Sequence, residues 1–170
     1  MVSIEKFLGR RVEIPEDRRY DLKQGLWAKG QGNEVLFGLT QPALVLGGGI
    51  TDLDWLVPEG QRIGQGESVL FAITGKILYL ETPVAGMISF NKTLKQDLSA
   101  VTADPYGSGW LFSIAPEIAV DEVLKGFRSA EVYLEILRHS EGFKNPEGLK
   151  GGVSGICKAV YSGIREQKIT

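Results

Sequence analysis

The chain has 170 residues, a formal net charge of −2 and 43% hydrophobic residues, which suits one globular domain with an ordinary core. It is neither basic enough for a nucleic-acid footprint nor acidic enough for disorder, so any electrostatic preference for a partner must come from local patches. No apolar run approaches the about 20 residues that span a bilayer. One cysteine and one histidine exclude an internal disulfide and argue against a soft-ligand metal site.

The opening MVSIEKFLGRRVEIPED has Glu5, Arg10 and Arg11 among its apolar residues and so lacks a signal-peptide core. A soluble, cytoplasmic protein is the expectation, with residues 1–19 as an N-terminal extension. Short apolar runs then follow at Glu34–Leu39, Val69–Ile73, Ile77–Leu80, Met87–Phe90 and Trp110–Ile114, and many of the 22 glycines fall between them. Such spacing predicts strands and turns, hence a mainly β (α+β) sandwich or barrel. Gly47-Gly48-Gly49 reads as a turn or bulge, because no GKS/T follows it as a phosphate loop requires. Trp27, Trp55 and Trp110 read as core or end-covering residues, with a ligand platform as the competing reading.

The middle of the chain, VLFAITGKILYLETPVAG from Val69 to Gly86, holds one lysine between two apolar runs. Thr74-Gly75-Lys76-Ile77 suits a type II′ hairpin turn with Gly75 at the position that needs positive φ. Lys76 then occupies an exposed tip. It serves there either to keep the tip soluble and block edge pairing, or as an amine for an acylating enzyme.

Beyond Pro116 the texture turns helical. Asp121 is placed to cap a short helix carrying Val123, Leu124 and Phe127. Ser129 is placed to cap a second with Ala130, Tyr133, Leu134 and Leu137 on one face, Arg138 and His139 in its last turn, and Gly142 past its end. The C-terminal dipole accounts for His139 without catalysis. Residues 20–142 form the expected domain, and 143–170 an extra linker and amphipathic helix. In that segment Val153, Ile156, Cys157, Val160, Tyr161 and Ile164 make a helical stripe, weakened by Gly155 and Gly163. Cys157 reads as a buried small hydrophobe, against the alternative of a reactive thiol. Gly152-Val-Ser154-Gly-Ile lacks the spacing of a nucleophile elbow. No acid–base or nucleophile constellation is visible, so an enzyme is not expected.

Several strings together carry a resemblance. They are Gly38-Leu39-Thr40, Leu46-Gly47-Gly48-Gly49-Ile50, Gly60 to Glu67, Pro83-Val84-Ala85-Gly86, DPYGSGW at Asp104–Trp110, and Ser129-Ala130-Glu131-Val132-Tyr133. From about Tyr20 to Leu137 the sequence resembles the glycine cleavage system H protein, a lipoyl carrier of the biotinyl/lipoyl-domain superfamily; DPYGSGW is the most specific piece. The resemblance implies a lipoyl-type barrel-sandwich hybrid with C-terminal helices. It implies lipoate in amide linkage on Lys76, which lies ten residues after Gly66, with Gly75 setting the turn and Pro83, Gly86 and DPYGSGW shaping the support. Implied partners are a lipoylating enzyme and the glycine decarboxylase, aminomethyltransferase and dihydrolipoyl dehydrogenase components.

The chain also departs from that pattern. Ile73 stands three before Lys76, where the family has an acid. ILYLETP is one residue shorter from lysine to proline. Gly25-Leu26-Trp27 keeps only the tryptophan of the family's HEW, and Gln41 replaces the aspartate of GITD. Thr74-Gly75-Lys76 is also similar to the SGK of H-like lipoate-binding proteins of sulfur-oxidising, heterodisulfide-reductase-like complexes, an alternative partner. A biotin carrier is less well matched, because Gly75 and Ile77 flank the lysine in place of methionines. A third alternative is an unmodified H-like interaction module, which Ile73 favours. Asp52, Asp54, Glu59 and Glu67 offer either a docking rim or a merely solvated one.

Overall fold

Alternation of buried and exposed side chains builds three antiparallel sheets in a computed structural model that describes residues 2–148. Six strands form the largest, in the order β3 (Arg19–Asp21), β4 (Leu26–Gln31), β5 (Glu34–Leu39), β11 (Phe112–Pro116), β10 (Gly86–Phe90) and β7 (Arg62–Ile63). A second has the order β6 (Asp52–Trp55), β8 (Ser68–Ile73) and β9 (Ile77–Glu81). These two share one apolar core that includes Phe37, Leu53, Leu70, Leu80, Ile88 and Phe112. Phe37 and Phe112 are register partners on β5 and β11 and stack at 5.1 Å. Neither sheet would be stable without the other, since each must cover its apolar face.

A smaller hairpin of β1 (Val2–Phe7) and β2 (Arg10–Ile14) belongs to a second core with Tyr20, Trp27, Ala130, Tyr133 and Leu137. The first residues are therefore packed structure. Phe7 is fully buried, and a Cβ on Gly142 would lie 2.3 Å from its ring.

Ser129 does cap α4 (Ala130–Leu137), its Oγ accepting from the Val132 N–H at 3.3 Å. Ser129→Ala is expected to lower stability by about 1 kcal/mol, seen as a lower urea midpoint at unchanged slope. Asp121 is not a cap. The N-cap of α3 (Val120–Leu124) is Ala119 without a side-chain bond, and Asp121 lies inside the first turn, where its charge still suits the dipole. Phe127 lies past the end of α3 and packs edge-on against Phe37 at 5.9 Å. The three glycines after Leu46 are not a strand turn either. They end a helix, α1 (Gln41–Gly47), capped by the Thr40 hydroxyl on the Ala43 N–H and closed by Gly48 in the left-handed region at φ 79°. Short helices α2 (Ala100–Ala103) and α5 (Glu141–Lys144) complete the set. β11 begins two residues later than expected because Trp110 closes the preceding turn, its N–H donating to Gly107 O. Cys157 and the apolar stripe around it lie outside the described residues.

Candidate functional site: the lysine hairpin and its groove

Ile73 pairs with Ile77, which leaves Thr74-Gly75-Lys76 as a three-residue connection between β8 and β9. The expected type II′ turn does not form, because the φ of Gly75 lies outside the left-handed region. Thr74 shapes the bend instead. Its N–H donates to Lys76 O at 2.8 Å, its Oγ1 donates to the same oxygen at 3.1 Å, and the Lys76 N–H donates back to Oγ1 at 3.4 Å. A threonine hydroxyl thus satisfies the backbone groups that a glycine turn would pair directly. Below the bend, Thr51 grips Ile73 O through its N–H at 2.8 Å and its hydroxyl at 3.1 Å. A Cβ on Gly75 would meet nothing within 4 Å. Gly75→Ala is therefore expected to shift stability by no more than about 0.5 kcal/mol, measurable in a thermal melt.

Lys76 is exposed, and among the described residues its ammonium has no carboxylate partner. Other lysines differ: Lys23 pairs with Glu81 at 3.2 Å, Lys92 with Glu59 at 3.9 Å, and Lys95 with Asp54. Against one side of the tip lies a groove of about 380 Å³. Lys76, Thr74 and Leu78 form its hairpin wall, Leu44 and Leu46 of α1 a second, and Ile136 of α4 a third. Leu46 and Ile136 remain 44% and 50% exposed. Beneath them the Tyr133 hydroxyl bonds Thr40 Oγ1 at 2.7 Å, and burial holds the phenol up at about 12, so it stays neutral. Among the described residues no aspartate or glutamate lines the groove.

The groove exists because α1 and α4 converge on the hairpin. The lysine tip was anticipated from the sequence, and this companion groove was not. Its signal was legible: Thr40-Gln41-Pro42 opens a helix with a capping hydroxyl and a first-turn proline, and Gly48 closes it.

The sequence profile described as Glycine cleavage H-protein matches residues 18–140, more than half of the chain. The chain belongs to the glycine cleavage H-protein family. A Thermus thermophilus glycine cleavage system H protein is 34% identical over 131 residues, covering 74% of this chain and 97% of the relative. One from Myxococcus xanthus is 31% identical over 133 residues, covering 75% and 97%. The crystal structure of a glycine cleavage system H protein from Mycobacterium marinum superposes with a TM-score of 0.57 at 27% identity, covering 72% of this chain and 98% of that one. The architecture is accordingly the lipoyl-type barrel-sandwich hybrid with C-terminal helices. By family and by fold this is a protein of the lipoyl-carrier type.

Within this H-protein fold the most specific motif is scaffold. The Asp104 carboxylate accepts from the Ser108 N–H at 2.8 Å and its hydroxyl at 3.0 Å, while Pro105 O accepts from Trp27 Nε1 at 2.9 Å. A Cβ on Gly107 would lie 2.5 Å from that carboxylate, and one on Gly109 2.4 Å from Ala100 O, so both positions exclude larger residues. Trp27 is buried, and Trp55 stacks on Phe90 at 4.4 Å, so these two rings pack rather than form an open platform. All four acids named above accept a hydrogen bond, Asp52 from the adjacent Leu53 N–H at 2.8 Å. Asp54 binds Lys95, Glu59 accepts from the Phe90 N–H at 2.9 Å, and Glu67 from the Gly64 N–H at 2.9 Å.

Proposed function

We propose that Lys76 carries lipoate in amide linkage, and that the chain, itself not an enzyme, shuttles an intermediate between partner enzymes. The observation that carries this reading is the pairing of an exposed amine, without a carboxylate partner among the described residues, on a braced hairpin with an apolar groove at its foot. Amide formation removes the lysine charge. The aliphatic part of the extended side chain then has Leu46, Leu78 and Ile136 beside it, at about 0.8 kcal/mol per methylene fully withdrawn from water. A lipoyl group supplies a dithiolane whose sulfurs accept and release the carried group. The protein supplies rigidity, attachment and a high effective concentration at each docked active site. Glycine decarboxylase, aminomethyltransferase and dihydrolipoyl dehydrogenase are the proposed partners, from the family; a heterodisulfide-reductase-like complex is the alternative drawn from Thr74-Gly75-Lys76.

Peptide mass spectrometry on protein purified from its native host tests the attachment. A lipoyl increment on the Lys76 peptide is expected. An unmodified peptide from lipoate-replete cells would overturn the carrier reading in favour of an H-like interaction module, the reading that Ile73 favours.

A further inference from the structure

The outward side chains of the three-stranded sheet form two rows that run across its strands. Register puts Asp52 of β6 beside Ile73 of β8, and Ile73 beside Ile77 of β9. The next outward row is Asp54, Phe71 and Tyr79. Leu53, Ala72 and Leu78 lie in the row between and face inward, as a period of two requires. Ile77 and Tyr79 are 56% and 57% exposed. Each outward row thus begins with a carboxylate and continues with two apolar side chains, and the first row ends against the lysine tip.

The two carboxylates are not equivalent. Asp54 is held by Lys95. Asp52 is exposed, accepts only from the adjacent Leu53 N–H at 2.8 Å, and has no cationic partner among the described residues. Side chains directly across a strand pair are about 4.5–5.5 Å apart at Cβ. The Asp52 carboxylate therefore stands beside position 73, three residues before Lys76, where the hairpin itself has only isoleucine. On the other flank of the tip, none of the described residues lining the groove is an acid.

An enzyme that acylates Lys76 has to reach the tip, and the first outward row is the part of this face that adjoins it. We propose that the outer face of β6, β8 and β9 is the docking face for that enzyme. Asp52 anchors a cationic side chain of the enzyme, and Ile77 and Tyr79 are the apolar pad. This rests on the lipoylation proposed above. In the step served, the unprotonated Nζ attacks the carbonyl carbon of a lipoyl adenylate. The C–N bond forms as the C–O bond to phosphate breaks, AMP leaves with the electron pair, and the nitrogen releases a proton to water. A donor of this kind is held by cationic groups, so a carboxylate flanking the amine complements the enzyme and sets orientation and encounter more than chemistry.

The test uses the full chain with lipoate, ATP and a purified lipoate ligase, followed by intact mass. Asp52→Asn is expected to raise the KM for the carrier about tenfold with kcat unchanged, an effect that fades at high salt. The thermal midpoint should stay put, and Ile73→Glu in the Asp52→Asn background should restore the KM by returning a carboxylate to the same patch. Wild-type modification at Lys76 with an unaltered KM for Asp52→Asn overturns the docking face alone. A wild-type chain that is never modified overturns the carrier reading and this inference with it. A face covered by a second copy, seen as a dimer in sedimentation whose dissociation speeds modification, overturns it as well.

Discussion

Lys76→Arg is expected to give a chain with an unchanged thermal midpoint and no lipoyl increment at all. The side chain is exposed, and the bonds that shape the tip run through the backbone of residue 76 and through Thr74, so the bend survives the substitution. Arginine keeps the charge and much of the reach, but its guanidinium stays protonated and is not an acylation nucleophile. The loss should be total, because the other lysine of the groove, Lys23, is tied to Glu81 and sits on a different loop. Intact mass after incubation with ligase, lipoate and ATP reads the result. Transfer between partner enzymes should vanish with it. An increment that persists in Lys76→Arg would move the attachment point elsewhere in the chain.

Trp27→Ala is expected to cost about 3–5 kcal/mol, a large share of the roughly 5–15 kcal/mol that holds a domain folded. Only 1% of Trp27 is accessible, and three interactions converge on its ring. Its Nε1–H donates to Pro105 O at 2.9 Å, linking β4 to the DPYGSGW turn. Arg18 lies over the indole at 4.7 Å and donates to Tyr106 O at 2.8 Å. Gly38, its partner across β5, is a glycine for the ring's sake: a Cβ there would be 2.6 Å from three indole atoms. Alanine opens a cavity within the second core and strands the Pro105 carbonyl. Urea unfolding measures the loss, and Trp27→Phe should recover much of the packing but not the hydrogen bond. Lys76 in the remaining folded fraction should still accept lipoate, since the tryptophan supports the scaffold and the hairpin carries the chemistry.

The two substitutions separate what was legible along the chain from what was not. Strands β5, β8, β9 and β10 could be read because short apolar runs and the glycines that punctuate them are local properties. The Ser129 cap was readable for the same reason, as a hydroxyl three residues before the amide it satisfies. Asp121 misled because an acid in the first turn and an acid at the cap look alike in sequence. Gly75 misled because the rule for two-residue turns holds only if the loop has two residues, and the pairing of Ile73 with Ile77 makes it three.

By itself the sequence determined a mainly β domain of the H-protein type, with a lone lysine between two apolar strands and helices beyond Pro116. Only the tertiary structure decided that α1 and α4 would wall a groove beside that lysine, that Phe7 would pack on Gly142, and that Asp52 would stand next to Ile73. The reason is one of range. Burial periodicity and caps are written within a few residues, whereas register between strands and contacts between distant helices follow from which apolar faces can be closed together.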